Sequence, residues 1–201
     1  TGNWSAEGAT TWNEAGHPIA GDTVIIGAHT VTVDVASACA SITFSAAGTL
    51  ICGANAVTMP STFTLNALGT LTASTGGLSG CTACTFDNVV TCTGAAAFSV
   101  AGNVTISGTY TYSTSVITTT AAGTFSATPT IYNWTHNATG LTQTLGAALT
   151  MNALTITAGT LNTSAANNYA LTTASTLTLS GTLTCNDSAI SLASGGFAGY
   201  G

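Results

Sequence analysis

Ala47-Gly48-Thr49-Leu50 is a segment that recurs along the chain with small variations, and its recurrence decides the fold. Each copy contains a small or apolar residue, then Gly-Thr, then an apolar or aromatic residue. With the weaker copies at Thr93-Gly94 and Thr139-Gly140-Leu141 included, the spacing is irregular but clusters at about 20 residues. Self-similarity at that period indicates a solenoid in which each repeat forms one coil. The other clear copies are Leu68-Gly69-Thr70-Leu71, Ser107-Gly108-Thr109-Tyr110, Ala122-Gly123-Thr124-Phe125, Ala158-Gly159-Thr160-Leu161 and Ser180-Gly181-Thr182-Leu183.

Between these copies, apolar residues alternate with threonine or serine in short runs, for example at 31–35, 104–106 and 177–179. A period of two residues is typical of strands, and no longer segment keeps a helical pattern. We therefore expect an all-β protein with almost no helix. Glycine would recur because a corner between strands needs either positive φ or a close approach that a Cβ would block.

The charge content of the chain is unusually low. Its 201 residues include no lysine or arginine and only six acidic residues, for a net charge of −6. In a parallel solenoid, equivalent residues of successive coils lie about 4.8 Å apart, where charges repel while threonine, serine and asparagine form hydrogen-bonded ladders. The composition thus favours a solenoid over the alternative, a β-sandwich, whose usual Asn-Gly or Asp-Gly hairpin signals are absent between the strands.

The first 36 residues differ from the rest of the chain. They hold two of the three tryptophans, two of the three histidines and four of the six acidic residues. Because a solenoid must close its open end or expose its core, this segment is predicted to be a cap. The predicted organisation is an N-terminal cap at 1–36 and a β-solenoid at 37–201, together forming one structural domain.

The N-terminal segment also resembles a known type of sequence. Gly2-Asn3-Trp4-Ser5, Thr11-Trp12, Pro18, Gly21-Asp22-Thr23-Val24-Ile25-Ile26 and the Val31–Asp34 strand are similar to the segment that opens right-handed parallel β-helix regions in secreted prokaryotic surface and adhesin-like proteins. The Gly-Thr-Leu ladder that follows fits the same family. The resemblance implies a right-handed parallel β-helix at the cell surface or outside the cell. The chain departs from most such proteins in lacking basic residues and a recognisable anchoring module.

Composition also bears on partners and location. A chain without lysine or arginine has no side chains that neutralise phosphate, so binding to nucleic acid is excluded. No apolar run approaches the roughly 18 residues of a membrane span. The chain begins at Thr1 without an initiator methionine, as in a secreted protein whose signal peptide has been removed. An extracellular or cell-surface location is therefore expected.

Six cysteines form an even set, which in an exported chain suggests disulfides, with buried apolar thiols as the other interpretation. Cys81-Thr-Ala-Cys84 also has the spacing of half a zinc or redox site, but only Cys92 lies nearby as a further ligand. The pairing cannot be read from the sequence. The six candidates for disulfides are Cys39, Cys52, Cys81, Cys84, Cys92 and Cys185.

Catalytic groups are scarce, and we expect no enzyme activity, no cofactor and no metal. Many β-helix proteins act on polysaccharides, but the basic residue that lyases of that fold use is missing, and hydrolases need two carboxylates at a defined separation. Asp22 is predicted to be a turn residue that bonds local backbone. His136 is predicted to be structural, with a surface sugar platform shared with Trp134 as the alternative. The carboxylates considered were Glu7 with Glu14, Asp22 with Asp34, Asp87 and Asp187.

The glycosylation sequon, Asn-X-Ser/Thr, occurs six times, which fits an exported surface that gains solubility from sugar instead of charge. The candidate acceptors are Asn3, Asn103, Asn133, Asn137, Asn162 and Asn186.

Three functions are compatible with the sequence to different degrees. The sequence favours a structural subunit of an extracellular filament or sheath that binds copies of itself, because uncharged solenoid ends offer strand edges to a neighbour. The alternative is a glycan-binding adhesin or fibre module, and a carbohydrate-active enzyme is less favoured. The residues predicted to make assembly or glycan contacts are Tyr110, Tyr112, Tyr132, Trp134, Tyr169, Phe197 and Tyr200.

Overall fold

The chain forms a parallel β-solenoid of about nine turns. The computed structural model describes residues 2–4, 18–193 and 196–199. Within these ranges there are 24 strands and no helix, and all strand pairings are parallel. The all-β solenoid prediction is therefore confirmed, and the β-sandwich alternative is wrong, because a sandwich needs antiparallel hairpins.

The strands lie in three sheets. The first contains, in spatial order, β1 (Gly2–Asn3), β3 (Thr30–Thr32), β6 (Gly48–Gly53), β9 (Gly69–Ala73), β12 (Val89–Cys92) and β15 (Tyr110–Thr111). The smallest pairs β2 (Thr23–Ile26) with β5 (Ser41–Phe44). The largest contains β4 (Ser37–Ala38), β7 (Val57–Thr58), β8 (Thr62–Leu65), β10 (Leu78–Cys81), β11 (Ala83–Phe86), β13 (Ala97–Val100), β14 (Val104–Ile106), β16 (Val116–Thr119), β17 (Gly123–Ala127), β18 (Ile131–Leu145), β19 (Leu149–Asn162), β20 (Leu171–Thr173), β21 (Leu177–Leu179), β22 (Thr182–Thr184), β23 (Ile190–Leu192) and β24 (Phe197–Gly199).

Successive coils stack in register. Leu65 lies opposite Phe86, Phe86 opposite Ile106, and Ile106 opposite Ala127, so each coil takes about 20 residues. This agrees with the spacing of the Gly-Thr segments. Because a shift of one residue would turn every inward side chain outward, the strict alternation of apolar and polar residues fixes this register.

The core is a set of inward columns that run along the solenoid axis. Aromatic residues of neighbouring coils meet there, with ring centroids 5.9 Å apart for Phe63 and Phe86 and 5.6 Å apart for Phe86 and Phe98. All three rings are buried. Burial of large apolar side chains at about 25 cal/mol per Å² supplies the main stabilisation of such a stack.

Two pairs of Gly-Thr segments stack directly on one another, 48–50 on 69–71 and 160–161 on 182–183. Gly48 lies opposite Gly69, and the threonine and leucine that follow each glycine are also in register. The glycines recur mainly because the backbone of a neighbouring coil approaches too closely for a Cβ, and only rarely because φ is positive. A Cβ built on Gly108 would lie 2.2 Å from the carbonyl oxygen of Asn88, whereas among the glycines of the six segments only Gly159 has positive φ.

Threonine and asparagine ladders cover the outside of the coils. Thr118, Thr135, Thr155 and Thr178 occupy equivalent positions in successive coils. Asparagines at the corners bond the neighbouring coil: the Asn66 side-chain amide donates to the carbonyl oxygen of Phe44 at 3.0 Å. Outward hydroxyls and amides thus provide contacts between coils without charge.

The predicted cap is only partly described. Strands β1, β2 and β3 belong to residues 1–36, yet they pair in parallel with later strands and extend the same stack. Residues 5–17 lie outside the described residues, so the boundary at residue 36 stays a prediction.

Candidate functional site

The last coil presents an apolar surface that we call the end face, consisting of Leu183, Ile190, Leu192 and Phe197. Each of these residues continues an inward column, because they lie opposite Leu161, Leu171, Thr173 and Leu177, respectively, which are all buried. Within the described residues no further coil covers the end face, and exposure reaches 38% at Leu192 and 60% at Phe197.

The strand edges at the end face are also free on one side in the described part of the chain. Strand β22 pairs only with β19, β23 only with β20, and β24 only with β21. A free parallel edge offers unpaired backbone N–H and C=O groups, and it can add a further strand. The end face therefore combines exposed apolar side chains with backbone hydrogen-bonding groups.

A second exposed feature lies on the side of the solenoid. The rings of Tyr112 and Tyr132 are 5.9 Å apart and inclined at 34°. Tyr112 is 42% exposed and Tyr132 is half-buried. Next to Tyr132, Asn133 accepts a hydrogen bond from the side-chain amide of Asn152 at 3.0 Å. The result is a pair of aromatic rings beside neutral hydrogen-bonding groups.

Two of the predicted contact residues are inside the protein. Trp134 is fully buried and Tyr110 nearly so, which corrects the prediction that they form surface contacts. Tyr110 occupies the inward position opposite Val90, and its hydroxyl lies 3.1 Å from that of Ser115. Tyr169 is half-buried and packs against the core, Phe197 lies on the end face, and Tyr200 lies outside the described residues.

All six cysteines are free thiols, and no disulfide is present among them. Five are buried in the core, as the interpretation as apolar thiols predicted, and Cys185 is partly exposed. Burial raises the pKa of Cys39 and of Cys52 to about 12. The thiol of Cys84 forms a hydrogen bond with Cys81, which lowers the pKa of Cys81 and raises that of Cys84.

This arrangement predicts the thiol reactivity of the folded protein. With Ellman's reagent at pH 7.5, one thiol is expected to react promptly, because Cys185 alone is accessible, and all six should react in denaturant. The Cys185→Ser variant should show no prompt reaction. Prompt reaction of two or more thiols in the native protein would contradict the burial of the other five.

His136 belongs to a buried polar cluster. Trp134 donates from Nε1 to the hydroxyl oxygen of Thr119 at 3.0 Å, and the same oxygen lies 3.0 Å from Nδ1 of His136. Nε2 of His136 is buried with no hydrogen-bond partner in the described structure. Burial is the main effect on the pKa of His136, and it lowers that pKa. The structural interpretation of His136 is supported, and the surface sugar platform is excluded by burial.

The lowered pKa of His136 predicts acid sensitivity. Above the unfolded-state pKa of about 6.5, neither state binds this proton and its contribution to stability is constant. Below that pH the unfolded chain binds the proton first, so the free energy of unfolding should fall by up to about 1.4 kcal/mol per pH unit until the folded pKa is reached.

Urea unfolding between pH 5.5 and 7.5 tests this prediction. The His136→Gln variant should lose the slope, while His29→Gln, which changes an exposed ring, should keep it. An equal slope in the His136→Gln variant would show that another group carries the acid sensitivity.

Two of the carboxylates that the structure describes accept hydrogen bonds from neighbouring groups. Asp22 accepts a hydrogen bond from the backbone N–H of Ile19 at 2.9 Å, which confirms its predicted role in a turn. Asp87 accepts one from the hydroxyl of Ser107. Glu7 and Glu14 lie outside the described residues. Within the described ranges there is no cluster of three or more His, Cys, Asp or Glu side chains suited to a metal ion, and no helix that could span a membrane.

The six sequons occupy different environments. The side chains of Asn133 and Asn162 are half-buried, and both accept hydrogen bonds from neighbouring coils. The exposed acceptors are Asn3, Asn103, Asn137 and Asn186.

The chain matched no protein-family model, no curated protein and no solved structure.

Two features were not predicted from the sequence. The first is that Leu183, Ile190 and Leu192 belong to the end face, because these residues have the same alternating pattern as residues inside the stack; the sequence predicts only open solenoid ends and a contact at Phe197. The second is a bulge at 137–142, inside β18, where the register with β19 shifts. A weak signal for the bulge exists: Thr139-Gly140-Leu141 departs from the order of the other Gly-Thr segments.

Proposed function

We propose that the protein is a structural subunit of an extracellular filament or sheath, in which solenoids join end to end. The end face is the observation that carries this proposal. Its apolar side chains and free strand edges suit a further coil of the same kind, since inward columns inside the stack place apolar residues opposite apolar residues, as at Leu65, Phe86 and Ile106.

The other end of the stack supports the same arrangement. In the described residues, β2 pairs only with β5 and β4 only with β7, so each of these strands has one edge without a described partner. Contact between two different ends is a heterologous interface, which builds an open filament when the rotation does not close a ring. With no lysine or arginine and few acids, little charge opposes the approach of a second copy.

Electron microscopy of the purified 201-residue chain at neutral pH tests the proposal. Filaments one solenoid wide are expected, with an axial repeat set by about nine coils at about 4.8 Å per coil. Dispersed monomers over a range of protein concentrations would overturn it.

A pair of charge variants locates the contact. The double variant with Leu192→Lys and Phe197→Lys places two positive charges on the end face, and it should form no filaments. The matched control is Leu68→Lys with Leu141→Lys, which changes similarly exposed leucines on the sides of the coils. The control should still assemble, and loss of filaments in the control alone would place the contact on the side instead.

A second candidate function rests on the Tyr112 and Tyr132 pair. Exposed aromatic rings beside neutral amides suit the stacking of a neutral glycan, and this favours the adhesin or fibre module. Co-sedimentation with insoluble neutral polysaccharides would detect such binding, and Tyr112→Ala with Tyr132→Ala should remove it. Binding that survives in this double variant would exclude the tyrosine pair as the site.

A further inference from the structure

The bulge at 137–142 interrupts an otherwise regular ladder. Asn137 lies opposite Ala158 and Thr142 opposite Thr160, so four residues of β18 face the single residue Gly159. The preceding coil shows the same excess, because six residues, 137–142, face three residues, 120–122. The surplus chain is forced outward, and residues 139–142 are exposed.

The bulge carries a complete sequon, Asn137-Ala138-Thr139. Asn137 and Thr139 are exposed, and the side chain of Asn137 makes no hydrogen bond to any described residue. Ala138 is the one buried residue of the three, so displacing this segment would withdraw a single methyl group from the interior and break the pairing of Asn137 with Ala158. The residues that follow, through Gly140 and Leu141, have no ladder partner on β19.

In two other sequons, the side chain of the middle residue is buried in the core and fixes the segment in place. The sequon of Asn133 contains the fully buried Trp134, and that of Asn103 contains the fully buried Val104. The Asn103 side-chain oxygen also accepts a hydrogen bond from the backbone N–H of Thr124 at 2.8 Å. Exposing either sequon to an enzyme would open the core and break strands on both sides.

In the remaining two described sequons, the side-chain amide of the asparagine itself is fixed by hydrogen bonds. The Asn162 side-chain oxygen accepts hydrogen bonds from the backbone N–H of Ser164 and from the amide of Asn186, both at 2.8 Å. The same Asn186 nitrogen, which is the atom that would receive a sugar, also donates to the hydroxyl of Thr163 at 3.2 Å. Both acceptors are therefore engaged in a bond between coils.

We propose that Asn137 is the acceptor of an N-linked glycan and that the other described sequons receive no glycan in the folded protein. The donor is an oligosaccharide carried on a polyprenyl pyrophosphate. The amide nitrogen of Asn137 attacks C1 of the first sugar, the N–C1 bond forms, the C1–O bond to the pyrophosphate breaks, and the amide loses one proton as the lipid pyrophosphate leaves. The proposal rests on the extracellular location in the proposed function, but not on filament formation.

The test uses the folded chain and a purified single-subunit oligosaccharyltransferase. The enzyme is first shown to glycosylate a synthetic peptide of residues 134–142, and peptides around the other sequons provide the comparison. The protein carries Asn3→Gln, because that sequon includes Ser5, which lies outside the described residues. Intact mass counts the glycans, and fragment masses locate them.

One glycan at Asn137 is the expected result, with none in the Asn137→Gln variant and an unchanged yield in the matched Asn133→Gln variant. Peptides around the other described sequons should be modified although the same sites in the folded protein are not. A folded protein that receives no glycan, or receives it at Asn103, Asn133, Asn162 or Asn186 to an equal extent, overturns the proposal. Microscopy of the unmodified chain reports on filaments independently, so the two proposals can fail separately.

Discussion

Replacing Trp134 with alanine is expected to lower the free energy of unfolding by about 3–5 kcal/mol. Trp134 is fully buried, and the centroid of its ring lies 4.1 Å from the ring centroid of Phe125 in the preceding coil. The substitution removes this contact, leaves a cavity between two coils, and deprives the Thr119 hydroxyl of the Nε1 hydrogen bond. Urea unfolding followed by circular dichroism measures the loss.

Two variants separate packing from hydrogen bonding at this position. Trp134→Phe keeps an aromatic ring against Phe125 but removes the donor, so a loss of about 1–3 kcal/mol is expected. Tyr132→Ala changes a half-buried aromatic residue two positions away and should cost less than Trp134→Ala. Equal losses for Trp134→Ala and Tyr132→Ala would contradict the placement of Trp134 in the core.

Gly159→Ala is expected to destabilise the protein by about 3–5 kcal/mol, because two costs combine at this position. The φ angle of Gly159 is 84°, a conformation that alanine rarely adopts. A Cβ there would also lie 2.1 Å from the carbonyl oxygen of Ala138 and 2.7 Å from that of Leu141, on the inner side of the bulge. Thermal and urea unfolding both measure the loss.

Gly140→Ala is the matched control for the close contact between a Cβ and the neighbouring carbonyl oxygens. Gly140 has a similar φ of 71°, but a Cβ there would have nothing within 4 Å. Its expected loss is about 1–2 kcal/mol, from backbone strain alone. If the two variants were equally destabilised, the close approach of the bulge to β19 would not exist.

Much of the fold can be predicted from the sequence because a solenoid repeats one local pattern. The alternation at 104–106 or 177–179 specifies strands, and the Gly-Thr segments indicate how many residues form one coil. Stacking of Thr49 on Thr70 follows from that spacing. The absence of lysine and arginine, which would repel along such a ladder, is consistent with the same architecture.

The errors among the candidate contacts also have a physical reason. The residue type of Tyr110 predicts a surface contact, yet Tyr110 is the fourth residue of a Gly-Thr segment, the position at which Leu50 and Leu71 point inward. Position within the repeat was thus more informative than chemical type. The same rule places Phe125 in the core.

Other features depend on information that a single repeat does not contain. Leu192 has the alternation of a core residue, and its exposure follows only from the absence of a further coil above it in the described chain. The six sequons are equivalent as motifs, and only the neighbouring coils distinguish Asn137 from Asn162. That five of the six cysteines fill buried apolar positions is likewise visible only in three dimensions, and not from their spacing.

The one-sided pairing of the last coil also sets how the molecule opens in solution. Since each coil contacts mainly its two neighbours, local stability is approximately a sum over adjacent pairs, and a terminal coil has one such term where an interior coil has two. Amide hydrogens of β22, β23 and β24 should therefore exchange with deuterium sooner than those of β14 and β17, through fraying that begins at this end. A docked neighbour would suppress that fraying, so exchange at these strands reports on occupancy of the end face even when assemblies are too short to see.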